Sequence, residues 1–460
     1  MERFDTTSAV LISILSVILL GTGVPPAHAE GSNADGTSGS SIEFGFEVRG
    51  HWRDSDAARF ASPFPFPPEI FPPGQNQAFQ ETVEPGEHTE ISLVSLWLTA
   101  QWGQRWSSKV KVDLIDLYER NPTSTDRELD VDEVWIRWGE EALPAELPER
   151  SGAYVKLGKF PKFERQNDRH LESYGLLSTA FNRFEDVGVE VGINLGRRFF
   201  IESSFTQGNP VFFRDPNALA GDNGTADANG APLVIQERGA GFPIFYDADV
   251  EDLDFENPEV GVSAGWRFGD RRSGWGAEFV AWAYERDLAD AVEMGGTVYE
   301  GDLDLFTAGP NDAFSLTTEG RKKEEFGYNL WVYVGDLSIF GQYVDQDMAG
   351  LERTGYEAEV AWFKELPYLG AIGGRQVLSY IAPAVRYSKL EPRYAGDSRY
   401  PAPSVRWEWE KVDWGFNLGV VDGLLDLTVE WNDNTFVRLG QEESADEFLT
   451  TVRWQMDWGR

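Results

Sequence analysis

From residue 42 onward the chain repeats one texture: segments of about ten residues in which apolar and polar side chains alternate, set apart by turn-forming residues. Successive side chains of a strand point to opposite faces, so this alternation predicts strands with one apolar and one polar face. Val187 to Leu195 places Val187, Val189, Val191, Ile193 and Leu195 on one side and Gly188, Glu190, Gly192 and Asn194 on the other. Val260, Val262, Ala264, Trp266 and Phe268 likewise oppose Gly261, Ser263, Gly265 and Arg267. In the last segment Phe448, Val452, Trp454, Met456 and Trp458 oppose Leu449, Thr451, Arg453, Gln455 and Asp457. No helical stretch is predicted.

A soluble sandwich shares such alternation, since its polar face meets water. Two further patterns separate the cases. Trp102, Trp138, Trp266, Trp362, Trp431 and Trp458 stand at the ends of apolar faces, where the interfacial belts of a bilayer lie. The connections also alternate in length, as they do in barrels with short periplasmic turns and long external loops. With Ile42 to Asp54 as the first strand, one side carries Gly103-Gln104, Gly196-Arg197-Arg198, Gly269 to Ser273, Gly335-Asp336 and Val421 to Gly423, with Glu140 to Arg150 and Pro367 to Gln376 longer. The other side carries Ser55 to Thr89, Glu164 to Asp186, Asn209 to Asn257 and Ala291 to Gly320. The prediction is an all-β fold, a closed antiparallel transmembrane β-barrel of about 16 strands with both termini on the short-turn side. A barrel of that size leaves an aqueous lumen. Val191 and Val262 then face lipid and reject charge, while Glu190 and Ser263 face the lumen and are expected to tolerate it.

The start of the chain sets the compartment. Ala9 to Gly21 is an apolar run too short to span a membrane as a helix, followed by Val24-Pro25-Pro26 and Ala27-His28-Ala29. Residues 1–29 read as a signal peptide cut after Ala29, residues 30–41 as a flexible Gly/Ser-rich lead, and residues 42–460 as the barrel, destined for the outer membrane. The absence of cysteine suits a chain crossing an oxidising compartment.

A formal charge of −37, from 77 acidic against 40 basic residues, argues against a nucleic-acid partner, which needs clustered Lys and Arg. The run Asp247, Asp249, Glu251, Asp252, Asp254 and Glu256 lacks calcium-loop spacing and reads as a solvated acidic loop. Past residue 29 the histidines are only His51, His88 and His170, so neither a zinc site nor another metal or cofactor is expected, and no His-Glu-x-x-His pair occurs. An enzyme is not predicted.

The connection after the fifth strand reads Leu157-Gly158-Lys159-Phe160-Pro161-Lys162-Phe163-Glu164 and continues through Arg183-Phe184-Glu185-Asp186-Val187-Gly188-Val189. Over residues 155–195 the chain resembles the phosphate-selective porin family of the outer membrane. The resemblance implies a loop folded into the lumen as a constriction, lined by basic residues that attract anions, and a homotrimer. Carried onto this sequence, the lining candidates are Lys159, Lys162, Arg165, Arg169, His170 and Arg183, facing Glu164, Asp168, Glu172 and Glu185. The alternative is that these charges pair internally and stiffen the loop.

Parity adds inward charges on the strands: Lys109, Lys111, Asp113, Glu133, Arg137, Lys156, Glu190, Glu202, Arg267, Glu278, Glu357, Glu359, Arg386, Asp413, Asp426, Glu430 and Arg453. It also adds inward aromatics, Trp282, Tyr284, Trp331, Tyr333 and Phe340, which either stack on sugar rings as a track or anchor a loop folded inside. The expected function is a porin passing small hydrophilic solutes, anions among them. Its expected partners are outer-membrane lipid and lipopolysaccharide, with the barrel-assembly machinery during insertion. An export channel for an acidic polysaccharide and a plugged structural or adhesin barrel are the competing readings.

Overall fold

The computed structural model describes residues 40–56, 58–61, 79–83, 85–103, 105–116, 130–166, 168–181, 185–208, 234–235, 253, 255–288, 320–393, 408–438 and 441–458. The segment read as a signal peptide, most of the lead, Arg183 and the acidic run up to Asp254 lie outside them.

Sixteen strands form the wall: β1 (Ser40–Ser55), β2 (Gly86–Trp102), β3 (Trp106–Asp116), β4 (Asp130–Trp138), β5 (Gly152–Pro161), β6 (Glu185–Leu195), β7 (Phe199–Thr206), β8 (Glu259–Asp270), β9 (Trp275–Asp287), β10 (Lys322–Val334), β11 (Leu337–Met348), β12 (Leu351–Trp362), β13 (Tyr380–Pro392), β14 (Glu408–Val421), β15 (Leu425–Arg438) and β16 (Gln441–Trp458). Each pairs antiparallel with its sequence neighbours, and β16 returns to β1 in register from Phe44↔Trp458 to Ser55↔Glu447. Closure leaves no edge strand, so every wall strand has a partner on both sides, as a bilayer requires. The first strand starts at Ser40, inside the segment expected to be the lead.

The parity reading holds around the barrel. Val191, Ile193, Leu195, Val260, Val262, Trp266 and Phe268 are exposed on the outer face, whereas Glu190, Asn194, Ser263 and Arg267 are buried within. Outward aromatics form two belts. Toward the short-turn side Phe44 stacks on Trp458 with centroids 5.5 Å apart and Trp102 on Trp106 at 6.3 Å. Toward the opposite side run Trp52, Phe448, Trp431 and Trp414, then Tyr387, Tyr356, Tyr343 and Tyr328, with neighbouring centroids between 4.3 and 6.2 Å in the pairs that touch. Trp431 therefore belongs to the second belt. Beyond that belt Glu285, Glu324, Asp347 and Glu352 stand directly opposite one another on β9 to β12, so part of the acidic excess is carried on the outer collar.

Two departures from the predicted loop pattern matter. The β11–β12 connection, on the long-loop side, is the two-residue turn Ala349-Gly350, with φ of 52° and 86°. Positive φ at both central positions is what a hairpin turn matching strand twist demands. The other departure is a helix that period reading missed: α1 (Leu176–Ala180) lies in the β5–β6 connection. A single turn carries too few periods to register, and Gly175 at its N-cap supplies no side-chain cap. Packing holds it instead, since Leu176 and Leu177 are fully buried, each contributing about 1.5–3 kcal/mol by burial.

Candidate functional site: the lumenal constriction

The β5–β6 connection folds into the barrel. Gly158 near the end of β5 has φ of 127°, and a Cβ there would lie 2.0 Å from the Val134 carbonyl oxygen, so only glycine lets the strand bend this close to β4. From Pro161 the chain crosses the lumen and fastens to strands β8 to β16. Glu164 O accepts from Asn329 Nδ2 at 2.5 Å and Gln342 Nε2 at 3.1 Å, Ser173 O from Arg386 at 2.8 Å, Tyr174 O from Lys411 at 2.8 Å and Ala180 O from Arg353 at 2.9 Å. Wall cations and amides thus satisfy loop carbonyls that a strand ladder would otherwise take. Gly175 passes so near β12 that a Cβ would sit 1.8 Å from Glu357 Oε2. Leu176, Leu177, Ala180 and Phe181 share one apolar core with Trp282, Phe340, Met348, Leu390 and Trp409.

Four of the five inward aromatics are consequently covered by the loop rather than open to a solute. Trp282 and Phe340 pack in that core, Tyr284 stacks on Phe163 at 5.1 Å and donates to Glu164 at 2.5 Å, and Tyr333 donates to Asp168. Trp331, also in the core, lines an opening left beside the loop as well.

That opening is a cavity of about 570 Å³ between the loop and the β3–β9 side of the wall. Of the charged residues lining it, ten are cations (Arg49, Lys109, Lys111, Arg137, Lys156, Lys162, Arg165, Arg169, Arg267, Arg453) and five are carboxylates (Asp132, Glu133, Glu141, Glu202, Glu278), the reverse of the balance in the whole chain. Lys162, Arg165 and Arg169 come from the loop. Lys162 pairs with Glu259 and sits 4.5 Å from the Tyr284 ring centroid; burial works against its charge, but Glu259 holds its pKa above the ordinary value. Arg165 pairs with Glu185, which is buried at the start of β6. Arg169 lies over the Tyr174 ring at 3.9 Å.

The other candidates sit elsewhere. Lys159 is buried in the wall of β5. His170 lies in a small neighbouring void, with Nδ1 2.9 Å from Glu359. Glu172 is buried behind the cavity between Arg49, at 2.6 Å, and Arg453, at 2.9 Å. Burial opposes its charge, yet Arg49, Arg453 and Arg169 push its pKa down to about 2.

Sequence reasoning passed over Arg49 and the β4–β5 connection. Arg49 was legible by parity, standing two positions from inward Glu47. The connection, residues 139–151, enters the barrel from the short-turn end. Ala145 is fully buried, its N–H donating to Glu278 at 3.1 Å and its carbonyl accepting from Arg271 N at 2.9 Å. Arg271 then joins the two inserted segments, 2.7 Å from Glu146 and 3.8 Å from Asp168. Gly261 to Gly265 spells the Gly-x-Ser-x-Gly of a nucleophile elbow, but it lies inside β8, with Ser263 donating to Glu202 at 2.8 Å, and not on a strand-to-helix turn.

No family model matches this chain, and neither does any curated protein. Solved structures similar to it include OprB of Pseudomonas putida at high pH (11% identity, covering 90% of this chain and 94% of that one, TM-score 0.49). The outer membrane channel DcaP of Acinetobacter baumannii is another (11%, 91% and 98%, TM-score 0.46), as is an anion-selective porin from Comamonas acidovorans (8%, 91% and 100%, TM-score 0.42).

Proposed function

We propose that the chain is an outer-membrane porin, a water-filled channel for small hydrophilic solutes that favours anions at its constriction. The carrying observation is the twofold excess of cations over carboxylates on the lining of the lumenal cavity itself, with Glu172, Glu185 and Glu259, the partners of four of those cations, set behind it, in a chain whose charge is −37. In a confined pore the local ring of charge sets selectivity, whereas charges on outer loops are screened beyond about 8 Å at physiological salt. The two aromatic belts around an apolar outer face support the membrane setting. The resemblance over residues 155–195 supports the inward-folded loop, and a trimeric assembly rests on that resemblance alone.

The experiment is conductance in planar bilayers. A steady open current with a reversal potential displaced toward anions in a KCl gradient is expected, and its absence favours the plugged barrel. Neutralising Arg165, Arg169 and Arg183 is expected to displace the reversal potential toward cations by more than neutralising Asp247, Asp249 and Glu256 moves it the other way. The opposite ranking would put the selective region in the acidic loop. N-terminal sequencing of material from the outer-membrane fraction is expected to begin at or near Glu30, and retention of Met1 would remove the basis for the location.

A further inference from the structure

We infer that the constriction holds a binding subsite for a small organic monoanion, one carboxylate on an apolar frame, centred on Arg169 and Trp331. The inference rests on the channel reading and goes beyond it by naming the solute class.

Nine of the ten lining cations already have a carboxylate within ion-pair distance. Lys109 is 2.6 Å from Glu133, Lys111 2.6 Å from Asp132, Arg137 2.6 Å from Glu141, Lys156 2.8 Å from Glu141 and Arg267 2.7 Å from Glu278. Arg49 and Arg453 share Glu172, Lys162 has Glu259 and Arg165 has Glu185. Arg169 differs: its guanidinium lies 3.9 Å from the Tyr174 ring centroid and, among the described residues, makes no ion pair or hydrogen bond. Its N–H donors remain to be used, in a fork suited to a carboxylate.

Trp331 supplies an independent observation. Its side chain is 2% exposed, it stands between this cavity and the small void beside His170, lining both, and its indole Nε1–H finds no acceptor among the described residues. A buried donor left unsatisfied is costly, and an acceptor oxygen on a solute removes that cost. Gln166 and Ser178, on the inserted loop, also line the cavity and form no hydrogen bond among the described residues. Phe163, Leu171, Phe200 and Val280 provide apolar wall between these polar groups.

One cation outside any ion pair among the described residues, a few neutral donors and apolar wall match a solute with a single charge and an apolar body, and the volume of about 570 Å³ admits a one-ring acid. A multivalent oxyanion is poorly matched, because it needs several free cations and nine of the ten here would have to leave their carboxylates.

The test measures interruption of the KCl current through single channels by sodium benzoate, with inorganic phosphate and benzyl alcohol as comparisons. Benzoate is expected to half-block at a concentration about tenfold or more below either, and Arg169→Gln to raise that concentration about tenfold, with Arg169→Lys recovering part of the loss. Trp331→Phe, which keeps the ring and removes the donor, is expected to raise it several-fold and decides the matter if the Arg169 variants form no channels. Equal block by benzoate and phosphate overturns the subsite, as does benzoate block that neither Arg169→Gln nor Trp331→Phe changes, and the channel reading survives both. Absence of any KCl current from the unaltered protein overturns the channel reading itself.

Discussion

His170 Nδ1 lies 2.9 Å from Glu359 Oε1, and the backbone N–H of the same histidine donates to that oxygen at 3.1 Å. Burial works against an imidazolium there, but the hydrogen bond and the field of Glu359, with Asp168 adding to it, hold the His170 pKa above its ordinary value. Arg386 lies 3.4 Å from the other Glu359 oxygen.

A group whose folded pKa is raised contributes stability that is full below its unfolded value, about 6.5 for histidine, and lost as pH rises through the folded value. The inserted loop is therefore expected to hold most firmly at mildly acidic pH and to loosen above neutrality. Imidazole titration by NMR should give a midpoint above 6.5, and His170→Gln should flatten the dependence of the unfolding midpoint on pH across that window. A midpoint at or below the ordinary value would contradict the contact.

Glu172 runs in the opposite sense. With its pKa pushed down to about 2, its contribution is present above the ordinary carboxyl value and is lost as pH falls through about 2. Channel noise from a moving loop is expected to stay flat down to pH of about 4 and to rise only in stronger acid. Glu172→Gln should cost about 2–3 kcal/mol in chemical unfolding, because Arg49 and Arg453 lose a shared counter-charge while remaining partly solvated. A cost below about 0.5 kcal/mol would mean that the carboxylate does not fasten the loop.

Val191 and Val262 both stand opposite Ser203 of β7, so the three share one row of the outer face. Replacing either valine with Arg should destabilise the inserted barrel by about 2–4 kcal/mol if the row lies near the bilayer midplane. The inward neighbours do not have the indifference to charge expected of a solvated lining. Glu190 is held by Tyr154 at 2.9 Å and Lys156 at 3.1 Å, and Ser263 donates to Glu202 at 2.8 Å. Ser263→Asp should accordingly be harmful and Ser263→Lys mild, as read by urea unfolding in lipid vesicles. Equal damage from both would show that size and not sign decides at this position.

The wall was legible because period two survives wherever one face meets lipid: Val260 to Phe268 assigns every side chain correctly without any knowledge of its partners. Pairing across the lumen was not. That Arg165 would find Glu185 follows from closeness in sequence, but that Glu172 would lie between Arg49 and Arg453 depends on a loop path no local pattern encodes. The aromatic set illustrates the same limit. Parity put Trp282, Tyr284 and Phe340 inside, and only the docked α1 and its flanking residues show that the inside is already occupied there. Residues 139–151 looked like an overlong turn for a related reason, since the partner that draws them inward, Arg271, lies more than a hundred residues further along.

The seam of the barrel also sets an order in time. Arg49 belongs to the first strand and Arg453 to the last, and the two stand directly opposite each other only once β16 has met β1. Before that event the Glu172 carboxylate can have at most one of its two neighbouring guanidiniums, and the loop's other anchors on β13 to β15 are not yet curved around it. The constriction is thus a late product of assembly. A barrel halted short of closure would present a wide, unguarded opening, and the arrival of the C-terminal strand both seals the wall and narrows the passage.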